Sequence, residues 1–170
     1  MATSIASWQA NVIARIAATE LITGDMDQFI STFTEHAGPS FTYGTGTGYA
    51  DLFWCDTRTI NASSNETLDC TSLIDSLGLT ISTMAKIKAL YVQASAGNTN
   101  SVVVGAAASN PFVGPFGGTA ITATLPPGAG LLGWDKPGWT CTGSTKNIKV
   151  ANSSSGTAVT YKIAILGASA

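Results

Sequence analysis

The sequence predicts a single all-β domain, an antiparallel β-sandwich or jelly roll, behind a partly helical N-terminal arm. β-rich runs recur at intervals of about eight to twelve residues, and Gly, Pro or Asn separates them. Few segments carry a helical pattern that would cover a parallel sheet. Because the composition shifts at Gly38 towards Gly, Thr, Ser and Val, we assign residues 1–38 to the arm and residues 39–170 to the β domain.

The arm carries the pattern of a short amphipathic helix. Its apolar residues recur at spacings of three and four: Ile5, Trp8, Val12 and Ile16. Alanines between them favour helix, and Ser4 is a candidate N-cap. The helix is predicted to end at Thr23, and the following segment 26–33 is compatible with either helix or strand. We expect the arm to contact a neighbouring subunit.

The β domain is expected to consist of short strands joined by turns. The predicted strands are Ser40–Tyr43, Asp51–Ile60, Glu66–Leu68, Lys86–Ala94, Ser101–Ala106, Ala120–Leu125, Leu131–Trp134, Lys146–Asn152 and Val159–Gly167. The prolines of Leu125–Gly128 remove backbone donors from a sheet, so this segment is predicted to be a turn. Between residues 68 and 83 we expect a connector with one helical turn at Leu73–Leu77.

A segment near the middle of the chain forms the clearest supersecondary unit. Its runs Lys86–Ala94 and Ser101–Ala106 flank a Gly/Asn-rich stretch that permits positive φ, so we predict a β-hairpin. The second run is β-branched almost throughout, which suits a strand that is buried on both faces. We therefore expect Val102 and Val104 on the core side and Val103 packed on the other side.

The chain is poor in charge. Only 11% of its residues are charged, against about 25% in soluble domains generally. Such a composition indicates a chain that buries surface in an assembly. The formal net charge is −2, and the 8 basic residues are scattered singly. Neither nucleic acid nor a membrane is therefore a predicted partner.

The N-terminus and the cysteines indicate a protein made in a cytoplasm. The first residues lack the basic region and continuous apolar core of a signal peptide, and no run reaches the roughly 18 apolar residues that cross a bilayer. The potential glycosylation sequons then carry no meaning: Asn61, Asn65 and Asn152. The odd number of cysteines and the absence of C-x-x-C spacing argue against a disulfide framework or zinc site, so we predict buried small hydrophobes at Cys55, Cys70 and Cys141.

Two features invite a functional interpretation on weak grounds. The stretch Gly44–Gly48 is rich in glycine like a phosphate loop, but it lacks the Lys-Ser/Thr of that motif, and we predict an ordinary loop. His36 is the sole histidine and has no cysteine or histidine at ligand spacing, which argues against metal binding or base catalysis. We predict no catalytic, cofactor or metal site and no enzymatic activity.

The densest carboxylates are Asp51, Asp56, Glu66 and Asp69. They could hold calcium, yet the sequence around them lacks the alternating oxygen ligands and central glycine of a calcium loop. Ion pairing with Arg58, or hydrogen bonds in turns and caps, is the favoured interpretation.

Aromatic residues offer the best case for a ligand surface. Exposed rings stack on sugars, and the candidates are Trp54, Trp134, Trp139 and Tyr161. Tryptophans beside turns can equally plug the end of a sandwich core, which we favour.

Several segments carry a resemblance to a known family. The runs GTGTGYADLFWCDTRTI, TLDCTSLIDSLG, AKIKALYV, SVVVGAAASNPFVGPFGG, LPPGAGLL, PGWT and KNIKVANSSSGTAVTYKIAILGAS are similar to virion proteins of tailed bacteriophages and prophages. The resemblance covers about residues 40–170 and rests on turns and strand patterns. Within it, Cys70 stands where an aliphatic residue is expected.

The resemblance implies a structural protein of the virion, such as a capsid decoration (cement) protein made in the host bacterial cytoplasm. Its expected partners are the major capsid protein and further copies of itself, as a homotrimer. Two alternatives remain open, a tail or fibre module that binds host glycans through Trp134 and Trp139, and an unrecognised hydrolase.

Overall fold

The computed structural model describes residues 9–23, 28–74, 78, 80, 81 and 83–170. These ranges contain β-strands and no helix. The strands are β1 (Gln9–Asn11), β2 (Ala14–Thr23), β3 (Gln28–Ala37), β4 (Ser40–Tyr43), β5 (Tyr49–Ala50), β6 (Leu52–Ile60), β7 (Asn65–Asp69), β8 (Lys86–Ala94), β9 (Val102–Gly105), β10 (Thr122–Leu125), β11 (Gly130–Thr140), β12 (Asn147–Asn152) and β13 (Val159–Ala168). The prediction of an all-β chain is confirmed for the described residues.

Strands β6 to β13 form two antiparallel sheets, which we call the two-sheet core. Sheet I has the strand order β11-β8-β13-β6, and sheet II has the order β10-β9-β12-β7. Side chains of both sheets belong to one buried hydrophobic cluster, in which Leu90 and Ile165 of sheet I and Val104 and Val150 of sheet II are 0% exposed. Burial of this shared apolar surface is the main force that holds the sheets together.

The strands form where the sequence alternates with period two. In the first part of β13 the buried side chains come from every second position, at Val159, Tyr161, Ile163 and Ile165, whereas Lys162 is exposed; from Leu166 onwards every position is buried. This alternation is the pattern from which the strands were predicted, and each predicted strand is present with similar bounds. The largest difference is β11, which continues past Trp134 to Thr140 through an irregularity in its pairing with β8.

The prediction of a hairpin between Lys86–Ala94 and the next run is wrong. Both strands exist, but β8 pairs with β11 and β13 in sheet I, whereas β9 pairs with β10 and β12 in sheet II. The connection crosses from one sheet to the other, and its asparagines bond to residues of β12 and β13. Asn98 exchanges hydrogen bonds with the backbone of Thr160, and Asn100 Nδ2 donates to Asn152 Oδ1 at 3.0 Å.

The two faces of β9 also differ from expectation. Val102 and Val104 are fully buried in the core, as predicted, but Val103 is only half-buried. Its cross-strand neighbours are Thr124 and Ala151. The outer side of sheet II at this point is therefore partly open.

The proline-rich turn is confirmed, and the predicted helical turn is only partly covered by the structure. Ala129 N–H donates to the carbonyl oxygen of Pro126 at 2.9 Å, and Gly128 takes a φ of +80°. Of the segment Leu73–Leu77, residues 75–77 lie outside the described residues, while Ile74 forms an isolated bridge with Thr80.

The predicted N-terminal helix is wrong where the structure describes the chain. Val12 and Ile16 lie in extended segments, and Ser4, Ile5 and Trp8 fall outside the described residues. Segment 14–23 pairs in register with 28–37, from Ala14 opposite Ala37 to Thr23 opposite Gln28. The alanines favour helix, but pairing with a partner strand rich in β-branched and aromatic residues overrides that weak preference.

The N-terminal residues contribute to two small sheets. Strands β1, β4 and β5 form one that packs on the outer side of sheet I, where Phe41 and Ala50 bury against Ala89 and Leu166. Strands β2 and β3 form the other, which we call the hairpin arm. Strand β1 thus connects the proposed arm to the β domain, and the boundary at residue 38 stays a prediction.

Gly38 allows the chain to leave the hairpin arm and enter β4. Its φ is +140°, and a Cβ atom at this position would lie 1.7 Å from the carbonyl oxygen of Val12. Val12 N–H in turn donates to the carbonyl oxygen of Pro39 at 3.1 Å. The two ends of the hairpin arm are therefore held side by side at its base.

Candidate interaction surface

The outer side of sheet I carries an apolar face. Cross-strand pairing places Phe53 beside Leu166, then Ala89, then Trp134. The neighbouring row contains Cys55, Ala164, Tyr91 and Leu132. The next row is polar, because Thr57 pairs across the strands with Lys162, and Lys162 pairs with Gln93. We refer to the first two rows together as the apolar face.

Only part of the apolar face is covered by the chain itself. Strands β1, β4 and β5 lie over Ala89 and Leu166. Beside them remains a groove of about 300 Å³, whose floor includes Phe53, Tyr91 and Leu132 and whose wall is formed by residues 10–13. The side chain of Phe53 is 55% exposed and that of Ile13 is 67% exposed. Large apolar side chains are therefore left in contact with water at this site.

A shallower depression continues from the apolar face towards the polar row. Cys55, Tyr91 and Ala164 line it together with Lys162 and Asp56. The hydroxyl of Tyr91 donates to Gln93 Oε1 at 2.8 Å, which leaves the ring of Tyr91 available as an apolar wall. The combined surface is apolar at its centre and polar at one rim, which is the pattern of protein interfaces.

The hairpin arm is the second unusual surface. Each of its strands pairs only with the other among the strands that the structure describes. Its described side chains Arg15–Ala18 and Thr34–Ala37 are exposed, and Ile16 is 68% exposed. A two-stranded ribbon alone is at best marginally stable in water, since it buries too little apolar surface. The arm therefore has the properties of a segment that needs a partner.

The glycine-rich loop serves a structural purpose that the sequence did not reveal. Lys88 is buried, and its Nζ donates to the carbonyl oxygens of Gly46 at 3.2 Å and Pro137 at 2.6 Å. Burial, with a smaller effect of the nearby Lys86 charge, lowers the pKa of Lys88. A Cβ at Gly138, where φ is +93°, would lie 2.8 Å from the Lys88 side chain. The lysine thus fastens the loop to β11.

The carboxylates behave as predicted, as partners of cations and of turn backbone. Arg58 bonds Asp56 at 2.8 Å and Glu66 at 2.6 Å. Asp69 binds Lys146 Nζ at 2.6 Å and accepts a hydrogen bond from the backbone N–H of Thr71. These contacts confirm the ion-pair and turn interpretation. Asp51 accepts hydrogen bonds from the backbone and hydroxyl of Ser169 near the C-terminal end of the chain.

The aromatic candidates do not converge on one exposed surface. Trp54 is buried and donates from Nε1 to the carbonyl oxygen of Ile74 at 2.8 Å. Tyr161 is fully buried, and its hydroxyl donates to Glu66 Oε1 at 3.1 Å. Burial, reinforced by the Glu66 charge, raises the pKa of Tyr161 far above its ordinary value. Neither ring is available to stack on a sugar.

The two remaining tryptophans are half-buried. Trp139 packs on the main core and meets Phe112 edge to face, with ring centroids 6.2 Å apart. Trp134 packs beside Ala89 and Leu166 under the small β1-β4-β5 sheet. The core-plugging interpretation agrees with both environments.

His36 and the cysteines complete the candidate residues. His36 lies on the hairpin arm, exposed and opposite Arg15. Cys70 and Cys141 are buried as predicted, but Cys55 is exposed because it faces outward from sheet I, so its predicted burial is wrong. Sequence reasoning also missed the apolar face. A signal existed in the consecutive apolar residues Ile163–Leu166, since such a run indicates a strand with apolar contacts on both sides.

The described residues give no functional assignment through a metal site, a membrane-spanning helix or a known family. Within the part of the chain that the structure describes, no three or more His, Cys, Asp or Glu side chains cluster in a way that could hold a metal ion. The described residues also contain no apolar helix of bilayer-spanning length. Comparisons of the chain with protein-family models, with curated proteins and with solved structures found no match.

Proposed function

We propose that this protein is a structural component of a tailed-bacteriophage virion. In this proposal it assembles as a homo-oligomer, with a trimer as the favoured state, and decorates the capsid. The observation that carries the proposal is the coexistence, on one chain, of a hairpin arm whose strands pair only with each other among the described strands and an apolar face that the chain covers only in part. The similarity of residues 40–170 to phage virion proteins supplies the biological setting.

The connectivity of the two-sheet core supports this setting. In chain order, β6 to β13 occupy sheet I, II, I, II, II, I, II and I. We interpret these eight strands, in two four-stranded sheets, as a jelly roll. Jelly rolls are common in viral capsid and lectin domains. The fold therefore agrees with a virion protein without specifying one, because a fold alone does not determine function.

The partner of the groove is, in this proposal, the hairpin arm of a second copy of the chain. Ile13 lines the groove, and the arm begins at the next residue, Ala14. Strands of 10 residues extend about 34 Å. That reach carries the far end of the strands away from their own groove, and in this proposal the exposed part of the arm contacts the groove of a neighbour.

In this proposal the exchange of arms closes into a ring. Each copy donates one arm and accepts one, so donor and acceptor surfaces differ and the contact is head-to-tail. Head-to-tail contacts close into rings when the rotation between copies permits. A ring then presents identical surfaces to the capsid lattice, and several weak contacts to the major capsid protein act together through avidity.

The test of assembly is the mass of the intact protein in solution. We expect light scattering to give a multiple of the 17.3 kDa monomer mass. Phe53→Asp in the groove and Ile16→Asp on the arm should each shift the mass to that of the monomer, because either places a carboxylate in an apolar contact. Thr67→Asp, at an exposed position on sheet II, is the matched control and should leave the oligomer intact. A monomeric parent protein would refute the assembly.

The test of location is a cryo-EM map of the virion that carries this protein. Density for the two-sheet core on the outer surface of the head, at symmetry-related sites between capsomers, is the expected result. Density on the tail would overturn the capsid role while leaving the assembly mechanism in place.

A further inference from the structure

Two cysteines that are far apart in the sequence meet inside the molecule. Cys70 directly follows β7 of sheet II, and Cys141 directly follows β11 of sheet I. Cys70 is 1% exposed and Cys141 is 2% exposed. Both belong to the same buried hydrophobic cluster, whereas Cys55 faces outward.

The backbone holds both cysteines against the same dipeptide, Met84–Ala85. Met84 N–H donates to the carbonyl oxygen of Cys70 at 3.4 Å, and Cys141 N–H donates to the carbonyl oxygen of the adjacent Ala85 at 2.9 Å. The same dipeptide therefore bridges both residues. The two thiol groups lie near enough for each to shift the pKa of the other through a side-chain hydrogen bond.

The hydrogen bond makes the two thiols unequal. It lowers the pKa of Cys141, whose thiolate accepts the bond, and together with burial it raises the pKa of Cys70. Because the thiolate is the nucleophile in disulfide exchange, Cys141 is the thiol that reacts first.

We propose that Cys70 and Cys141 are a latent disulfide, reduced in the cytoplasm and closed by a small-molecule disulfide once the protein reaches an oxidising medium. The Cys141 thiolate attacks one sulfur of the small disulfide, which forms a mixed disulfide and releases one small thiolate. The Cys70 thiol then loses its proton to solvent, its sulfur attacks the Cys141 sulfur, and the second small thiolate leaves. The protein dithiol is oxidised, and the small disulfide is reduced to two thiols.

The bond would strengthen the two-sheet core without any new partner. It would join the end of β7 to the end of β11 and close a loop that contains β8, β9, β10 and β11. Closing a long loop restricts the unfolded chain more than the folded one, so it raises stability. This inference concerns covalent chemistry inside one chain and stands apart from the proposed assembly.

The experiment compares the full chain after incubation with oxidised or reduced glutathione. We expect the oxidised Cys55→Ser protein to lose the mass of two hydrogen atoms and to yield a peptide pair that links Cys70 to Cys141. Its melting temperature should rise by about 5 °C or more over the reduced form. Cys55→Ser/Cys141→Ala should show neither change.

Burial slows the reaction, because exchange requires local opening. The incubation is therefore repeated in mild denaturant below the unfolding transition, with samples taken over several days. If both thiols are still alkylated quantitatively after subsequent full unfolding, or if only mixed disulfides with glutathione form, the proposal is wrong.

Discussion

The two-sheet core and the hairpin arm are built from the same kind of strand but differ in what covers them. In β13 every second side chain is buried among residues of the opposite sheet, whereas the described side chains of β2 from Arg15 to Ala18 are exposed. Strand β13 has a neighbour on each side, and β2 has one. The core can therefore be stabilised by its own chain, whereas the described side chains of the arm bury little surface of their own. The contrast shows that backbone pairing with one neighbour is enough to form a strand, whereas burial of its side chains determines which surface the strand packs on.

The prediction with the largest expected effect is a substitution that disrupts the two-sheet core. Val104→Asp places a carboxylate at a position that is 0% exposed, on the inner side of sheet II. Burial of an unpaired charge costs several kcal/mol, which is a large part of the roughly 5–15 kcal/mol that stabilises a domain. We expect the variant to be unfolded or to melt far below the parent protein, as measured by circular dichroism.

Val103→Asp is the matched control for this substitution. The position is half-buried on the outer side of the same strand, between Thr124 and Ala151. The carboxylate can reach water there, so the loss of stability should be much smaller. Equal effects of the two substitutions would contradict the inner and outer assignment of β9.

This pair of valines also shows what the sequence could and could not predict. Alternation with period two located the strands, because it reflects the geometry of each strand alone. It did not predict that β8 and β9 lie in different sheets, because partner choice depends on distant segments such as β11 and β12. Nor did three consecutive valines distinguish a strand that is buried on both sides from one with an open outer face.

The same limit applies to the candidate surfaces. The ion pairs of Arg58 could be predicted, because Asp56 lies two positions away on the same strand. For the apolar face the sequence indicates only the strand Ile163–Leu166 with apolar contacts on both sides, because Phe53, Ala164 and Tyr91 become neighbours only when β6, β13 and β8 pair. The cysteine pair likewise depends on residues 84 and 85, which no spacing rule connects to positions 70 and 141.

The second prediction concerns a deletion that removes the hairpin arm and retains the two-sheet core. Deleting residues 14–37 joins Ile13 directly to Gly38, and the flanking Val12 and Pro39 are already hydrogen-bonded across the strands. The shortened connection then has the length of a two-residue β-turn, with glycine at its second position. We expect a folded protein that has lost its oligomeric state, as shown by circular dichroism together with light scattering.

A control deletion separates loss of the arm from general damage. Shortening both strands equally, by removing residues 19–32, retains the base of the arm and should leave only weakened association. An excised protein that fails to fold would show that the arm belongs to the core. A folded protein that still oligomerises would show that the arm is not the contact.

The smallest effect concerns a surface ion pair of the core and its dependence on pH. Partial burial acts to raise the pKa of Asp69, but hydrogen bonds from Lys146 and from Thr71 outweigh it and hold the pKa below its ordinary value. A carboxyl group with a lowered pKa in the folded state contributes stability above its unfolded pKa, and this contribution is lost as the pH falls through the folded value. Asp69→Asn should therefore reduce the free energy of unfolding by about 1 kcal/mol at pH 7, and the difference between parent and variant should be smaller at pH 3. Urea titrations at both pH values measure the difference, with Lys146→Met as the second arm of a double-mutant cycle. A difference that stays constant between pH 7 and pH 3 would mean that the Asp69 charge adds nothing, and that the side chain acts only through shape and neutral hydrogen bonds.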